Sequence, residues 1–144
     1  MGYRSEVAYT IRFDDSDKGR QTFDIFLTDA RQKEETKDIF KDSEGDEPHL
    51  IVDKAKLQIN FRASDVKWYP DFPDVKCHDA LMMLAREYIE DLTDQESDFP
   101  KATCCMGAIF TIIGEDLNDI QEECHGNYDW DWISVSRQII TDWD

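Results

Sequence analysis

The period of the hydrophobic pattern changes once within residues 57–92, and that change restricts what the chain can build. Leu57, Ile59, Phe61 and Ala63 alternate with Gln58, Asn60, Arg62 and Ser64, giving an extended strand one apolar face. Trp68-Tyr69-Pro70-Asp71-Phe72-Pro73 follows, and its two prolines break regular structure. From Asp74 to Leu92 the spacing becomes helical: Val75, His78, Leu81, Met82, Ala85, Tyr88, Ile89 and Leu92 fall on one side. Glu87, Glu90 and Asp91 fall on the other. A strand with one apolar face and a helix with one apolar stripe can bury each other, which makes this unit the expected centre of a small domain.

The flanking sequence supplies the rest of a sheet. Val7, Tyr9, Ile11 and Phe13 alternate as a first strand, and Asp14–Gly19 reads as an acidic turn. Thr22 is a candidate cap for a helix over about 22–33, with Phe23, Phe26, Leu27 and Ala30 as its stripe, and a short helical piece follows near 36–41. Leu50–Val52 is a short strand that turns at 53–56 into the strand of residues 57–66. Met106–Ile113 is apolar at both alternating sets, as expected of a central strand covered on one face and partly shielded on the other. Ile120–His125 is a weak strand, and Trp132–Trp143 reads as one last strand. The order β-α-β-β-α-β-β-β implies a single α+β domain over residues 1–144. Its expected form is a single-layer antiparallel or mixed sheet of about five to six strands with two helices packed on one face.

Charge narrows the function classes. The chain has 33 acids against 16 bases, a formal charge of −17, yet its 40% hydrophobic content is too high for a disordered acidic tail. Such a charge opposes direct contact with nucleic acid or an anionic membrane and favours a basic protein partner. Residues 94–144 hold twelve acids and two bases. No apolar run is long enough to span a bilayer, the first residues lack the apolar core of a secretory signal, and Gly2 with Glu6 departs from the myristoylation pattern. The expected setting of Cys77, Cys104, Cys105 and Cys124 is therefore a reducing cytoplasm.

Three stretches resemble a group of small acidic proteins encoded by tailed bacteriophages. They are the opening Met1-Gly2-Tyr3-Arg4-Ser5-Glu6-Val7-Ala8-Tyr9, the turn from Val66-Lys67-Trp68-Tyr69 to Pro73-Asp74-Val75, and Gly114-Glu115-Asp116. That group has no established activity, so the resemblance carries over no catalytic or binding residue. It implies a setting, the host bacterial cytoplasm during infection. Small acidic phage proteins of other families block host nucleases or defence complexes by imitating nucleic acid, an analogy of class.

The residues that could carry chemistry weigh against an enzyme. Cys77-His78, Cys104-Cys105 and Cys124-His125 are adjacent pairs, and on a strand neighbours point to opposite faces, so each pair offers a zinc site at most one ligand. The same adjacency separates thiolate from imidazole in a nucleophile pair, and no third residue orients them. Asp42–Glu47 has oxygen ligands and a glycine but departs from the EF-hand spacing. The expectation is therefore no catalytic residue, no metal and no cofactor. The candidate partner-binding residues are Glu115, Asp116, Asp119, Glu122, Glu123, Asp129, Trp130 and Asp131, acids in or beside expected turns with an aromatic anchor among them. The expected partner is a basic bacterial protein that itself binds nucleic acid. The competing readings are an accessory protein whose acidity serves only solubility, and a metal-binding protein or enzyme using the Cys/His or acidic clusters.

Overall fold

The computed structural model describes residues 5–40, 50–69, 71–94, 105–114, 120–126, 132–135, 139–141 and 143. Five strands form one antiparallel sheet: β1 (Ser5–Phe13), β2 (Ile51–Asp53), β3 (Gln58–Val66), β4 (Met106–Ile113) and β5 (Ile120–Gly126), in the order β2-β3-β1-β4-β5. Two helices, α1 (Asp17–Gln32) and α2 (Pro73–Asp94), complete the expected α+β architecture.

Alternation along β1 decides which side chains meet the helices. Val7, Tyr9, Ile11 and Phe13 share a core with Ile59, Phe61, Met106 and Ala108, and with Phe23, Phe26, Leu81 and Ala85 from the helices. Burial of this alternate set is the main source of stability, at about 25 cal/mol per Å² of apolar surface removed from water. The stripes read from the sequence lie in this core: Phe23, Phe26, Leu27 and Ala30 of α1 are buried, as are Val75, Leu81, Met82, Ala85 and Ile89 of α2. Tyr88 is half-buried, Glu87, Glu90 and Asp91 are exposed, and the side chain of Leu92 lies outside the described residues. Phe26 meets Tyr88 edge-on at 5.1 Å, and the Tyr88 hydroxyl donates to Asp29 Oδ2 at 2.9 Å, so α1 and α2 are also joined by a directed bond.

Two boundaries differ from the sequence reading. Helix α1 starts at Asp17 rather than near Thr22. Ser16 is the N-cap and accepts from the Gly19 amide at 3.1 Å, while the Thr22 hydroxyl donates to the Lys18 carbonyl inside the helix. The turn-rich composition of Asp14–Gly19 therefore serves as the helix start. A Cβ at residue 19 would lie 1.9 Å from the Asp14 carbonyl oxygen, so this close approach needs glycine. The short piece after α1 is a single 3-10 turn, Lys37–Phe40.

The second difference is at the end of the chain. Residues 132–143 do not form one strand. β6 (Ile133–Val135) and β7 (Ile139–Thr141) pair antiparallel as a separate two-stranded sheet. Folding back brings Trp132 and Trp143 to the same patch, where both pack with Ala8, Ile109 and Ile133 on the face of the main sheet away from the helices. A single extended strand would carry these two indoles far apart, at about 3.3 Å per residue.

The entry into α2 follows from local chemistry. Pro73 occupies the first helical position, where a missing N–H costs nothing, and the Phe72 carbonyl accepts the first helical bond from Lys76 at 3.0 Å. This fixes where Trp68 and Tyr69 sit relative to the first two turns of α2.

Candidate functional site: a groove between helix α2 and the outer strands

A groove of about 600 Å³ lies between α2 and the β4–β5 edge. Its helical wall consists of Val75, Asp79, Met82, Met83 and Arg86, residues three or four apart that share one face. The sheet wall is Phe110 and Ile112 of β4 with Gln121 and Glu123 of β5. Register explains the second set: Tyr9 lies opposite Phe110, which lies opposite Glu123, and Val7, Ile112 and Gln121 align in the same way. These positions face the helices. At the outer strand, where the apolar alternation of the central strands gives way, that face carries Gln and Glu instead.

Aromatic rings close one end. Trp68 packs at 5.4 Å from the His78 ring and 6.4 Å from Phe110. Beneath them, Tyr9 Oη and His78 Nδ1 lie 2.5 Å apart in the core. Burial lowers His78 from its ordinary value to about 4, and burial, with smaller contributions from Asp79 and Cys77, raises Tyr9 well above the usual phenol range. At neutral pH the hydroxyl is therefore the donor, Nδ1 the acceptor, and the imidazole uncharged. The core behind the Trp68 end of the groove is thus uncharged at neutral pH.

Its rim is negative. Partial burial raises the Asp79 carboxyl above its ordinary value, and the neighbouring Glu123 charge raises it further. Arg86, the base on the helical wall, is paired with Glu90 through Nε at 3.0 Å. Glu123 lies 3.6 Å from His125 Nε2. Two carboxylates thus face a space walled by Trp, Phe and Met.

The acids selected from the sequence are placed only in part. Glu122 and Glu123 are both exposed, but they occupy successive positions within β5 rather than a turn. They point to opposite faces: Glu123 lines the groove, and Glu122, opposite Thr111, projects to the other side. These two do not share one rim. Glu115, Asp116, Asp119, Asp129, Trp130 and Asp131 lie outside the described residues, as do Asp42–Glu47 and Cys104. Trp132, next to the candidate Asp131 in sequence, packs on the second core cluster.

The cysteines are separated. Cys77 is on α2 and Cys124 on β5, while Cys105 is buried with its thiol donating to Thr22 Oγ1 at 3.4 Å. Cys124 and His125 face opposite sides of β5, opposite Ile109 and Ala108 respectively. Among the described residues no three His, Cys, Asp or Glu side chains gather as a metal site would require, and no helix is long and apolar enough to cross a membrane.

Sequence reasoning missed the groove. Trp68, Asp79, Phe110 and Glu123 come from four separate elements, and only the strand order brings them together. Glu123 was already among the candidate partner-binding residues; a further local signal was the pair Asp79 and Met83, a polar and an exposed apolar residue at helical spacing beside the core stripe. No protein-family model, no curated protein and no solved structure matches the chain.

Proposed function

We propose that this is an acidic binding protein that docks onto the basic, nucleic-acid-binding surface of a bacterial protein and blocks it. The observation that supports this reading best is the groove, where Asp79 and Glu123 stand beside exposed methionine and aromatic surface in a chain of net charge −17. An acidic rim beside apolar anchors suits a partner that presents cations with apolar stems. Long-range attraction would speed the encounter, and the groove would provide contact after it.

The test begins with the immobilised protein and bacterial lysate. A captured protein is identified, and its binding to nucleic acid is titrated with and without the acidic chain. The expected result is competition, with an association rate that falls steeply as salt rises, because screening shortens to about 8 Å at physiological ionic strength. Neutralising Glu115, Asp116, Glu122 and Glu123 together should slow that association and leave the circular dichroism spectrum unchanged. A captured protein whose nucleic-acid binding is untouched at saturation would overturn the reading.

A further inference from the structure

Four features of the groove bear on what it can hold. Its apolar walls combine Trp68, Tyr69, Phe110, Met82 and Met83 with the aliphatic Val75 and Ile112. Its rim carries two carboxylates on different elements, Asp79 of α2 and Glu123 of β5; partial burial holds the Asp79 carboxyl above its ordinary value, and the Glu123 charge adds to the rise. Arg86 on the helical wall is paired with Glu90, and His125 Nε2 lies 3.6 Å from Glu123. At about 600 Å³ the space is within the range of roughly 300–1,000 Å³ that small-ligand pockets occupy. It is large enough for one long side chain with its flanking backbone.

We propose that this groove receives an arginine side chain, with its adjoining peptide backbone, from the partner protein. The guanidinium would lie against the Trp68 and Phe110 rings and pair with Asp79 and Glu123. This inference rests on the binding reading above and names the contact it would use.

Arginine fits better than lysine for a geometric reason. A guanidinium is planar, stacks on aromatic faces, and presents donors in several directions, so it can serve two carboxylates on different elements at once. An ammonium is a compact, strongly hydrated charge that gains less from ring faces and costs more to desolvate. Met82, buried, and Met83, 56% exposed, supply polarizable surface that adapts to the aliphatic stem. Charge complementarity adds to the fit: a cation between Asp79 and Glu123 offsets the repulsion between the two carboxylates.

The test uses the full chain and a short blocked peptide, acetyl-Gly-Arg-Gly-amide. Its controls replace arginine by citrulline, which keeps the shape and removes the charge, or by lysine. The readout is the methyl resonances of Met82 and Met83, assigned with Met82→Leu and Met83→Leu. The expected result is a saturable shift of both resonances with the arginine peptide, at least tenfold weaker with citrulline and several-fold weaker with lysine. Asp79→Asn with Glu123→Gln should weaken the arginine peptide at least tenfold and abolish its advantage over citrulline, whereas Glu87→Gln, on the far side of α2, should change nothing. Both groove acids are exposed, so the double variant should melt as wild type does and its loss of binding is interpretable. Equal binding of arginine and citrulline, equal binding by the double variant, or no saturation at tens of millimolar would each overturn the inference. The two readings fail separately. If the captured partner still associates in a salt-dependent way with the double variant at the wild-type rate and affinity, the groove is wrong and the broader reading survives. If no basic partner competes, the broader reading fails and the peptide titration still decides the groove.

Discussion

The two faces of the five-stranded sheet are held by different physics. The face beneath α1 and α2 is dry: Val7, Tyr9, Ile11, Phe13, Ile59 and Phe61 pack against Phe23, Phe26, Leu81 and Ala85, and its buried polar pair, Tyr9 with His78, is satisfied internally. The opposite face carries a polar chain. Arg12 Nε donates to Thr10 Oγ1 at 3.1 Å, the Thr10 hydroxyl donates to Asn60 Oδ1 at 2.5 Å, and Asn60 Nδ2 donates to Gln58 Oε1 at 3.2 Å. Thr10 and Asn60 are buried, so this chain replaces water that those groups would otherwise need. Beside it Arg12 lies 4.7 Å from the Trp132 ring and 5.6 Å from Trp143. One face is therefore specified by volume and the other by directed contacts, and the two should fail in different ways.

The largest expected effect is on the dry face. Leu81 is fully buried in the core cluster that the sheet and both helices share, so Leu81→Asp places an unpaired charge in an apolar interior. Circular dichroism should show no cooperative melting transition. Leu81→Ala, which only opens a cavity, should cost about 2–5 kcal/mol. A Leu81→Asp protein that melts like the wild type would remove the distinction between the faces.

The next effect concerns His78, a buried imidazole on that face. The fold holds His78 near 4, whereas an unfolded chain holds histidine near 6.5. Below pH ~6.5 the unfolded chain takes up a proton that the folded one refuses, so stability is full above that pH and is lost as pH falls toward 4. Between pH 7 and pH 5 the loss should be about 2 kcal/mol. Asp79 acts with the opposite sign: its raised carboxyl is protonated first in the folded state, which returns some stability at the acid end. Urea unfolding of wild type and His78→Gln across this range checks the claim, since glutamine keeps an acceptor for Tyr9 but does not titrate. If both proteins lose stability equally between pH 7 and pH 5, His78 is not the source.

The same contrast explains what the sequence disclosed. Volume-specified structure leaves a pattern, so β1 and β3 were readable from alternation, β4 from a continuous apolar run and the stripe of α2 from helical spacing. His78 was readable as a member of that stripe, but its partner Tyr9 is 69 residues away and no local pattern links them. Directed contacts leave weaker traces. Ser16, the true cap of α1, was hidden among turn-forming residues, and Thr22, a plausible cap, bonds inside the helix. Residues 132–143 continued the alternation through Ser136-Arg137-Gln138, which contains no glycine, proline or asparagine to announce a reversal. The groove was the least legible feature, because it depends on β5 lying at the edge beside α2, and strand order is set by tertiary packing.

The smallest effect is the sharpest test of the polar face. If Arg12 is held by the indoles, its charge and the ring must matter jointly. In a cycle of Arg12→Met, Trp132→Leu and the double variant, the coupling should be about 1 kcal/mol, within the range of partly desolvated cation–π contacts. Arg12→Lys should recover only part of it, because an ammonium keeps the charge and loses the plane that lies over the ring. Arg12 also donates to Thr10, so Arg12→Met alone should cost more than the coupling, leaving the Thr10–Asn60 chain one donor short. Trp132→Leu alone should leave that chain intact and lose mainly apolar cover over Ala8 and Ile109. Strict additivity of the two substitutions would mean that Trp132 is only a lid, and that the second face, like the first, is specified by volume.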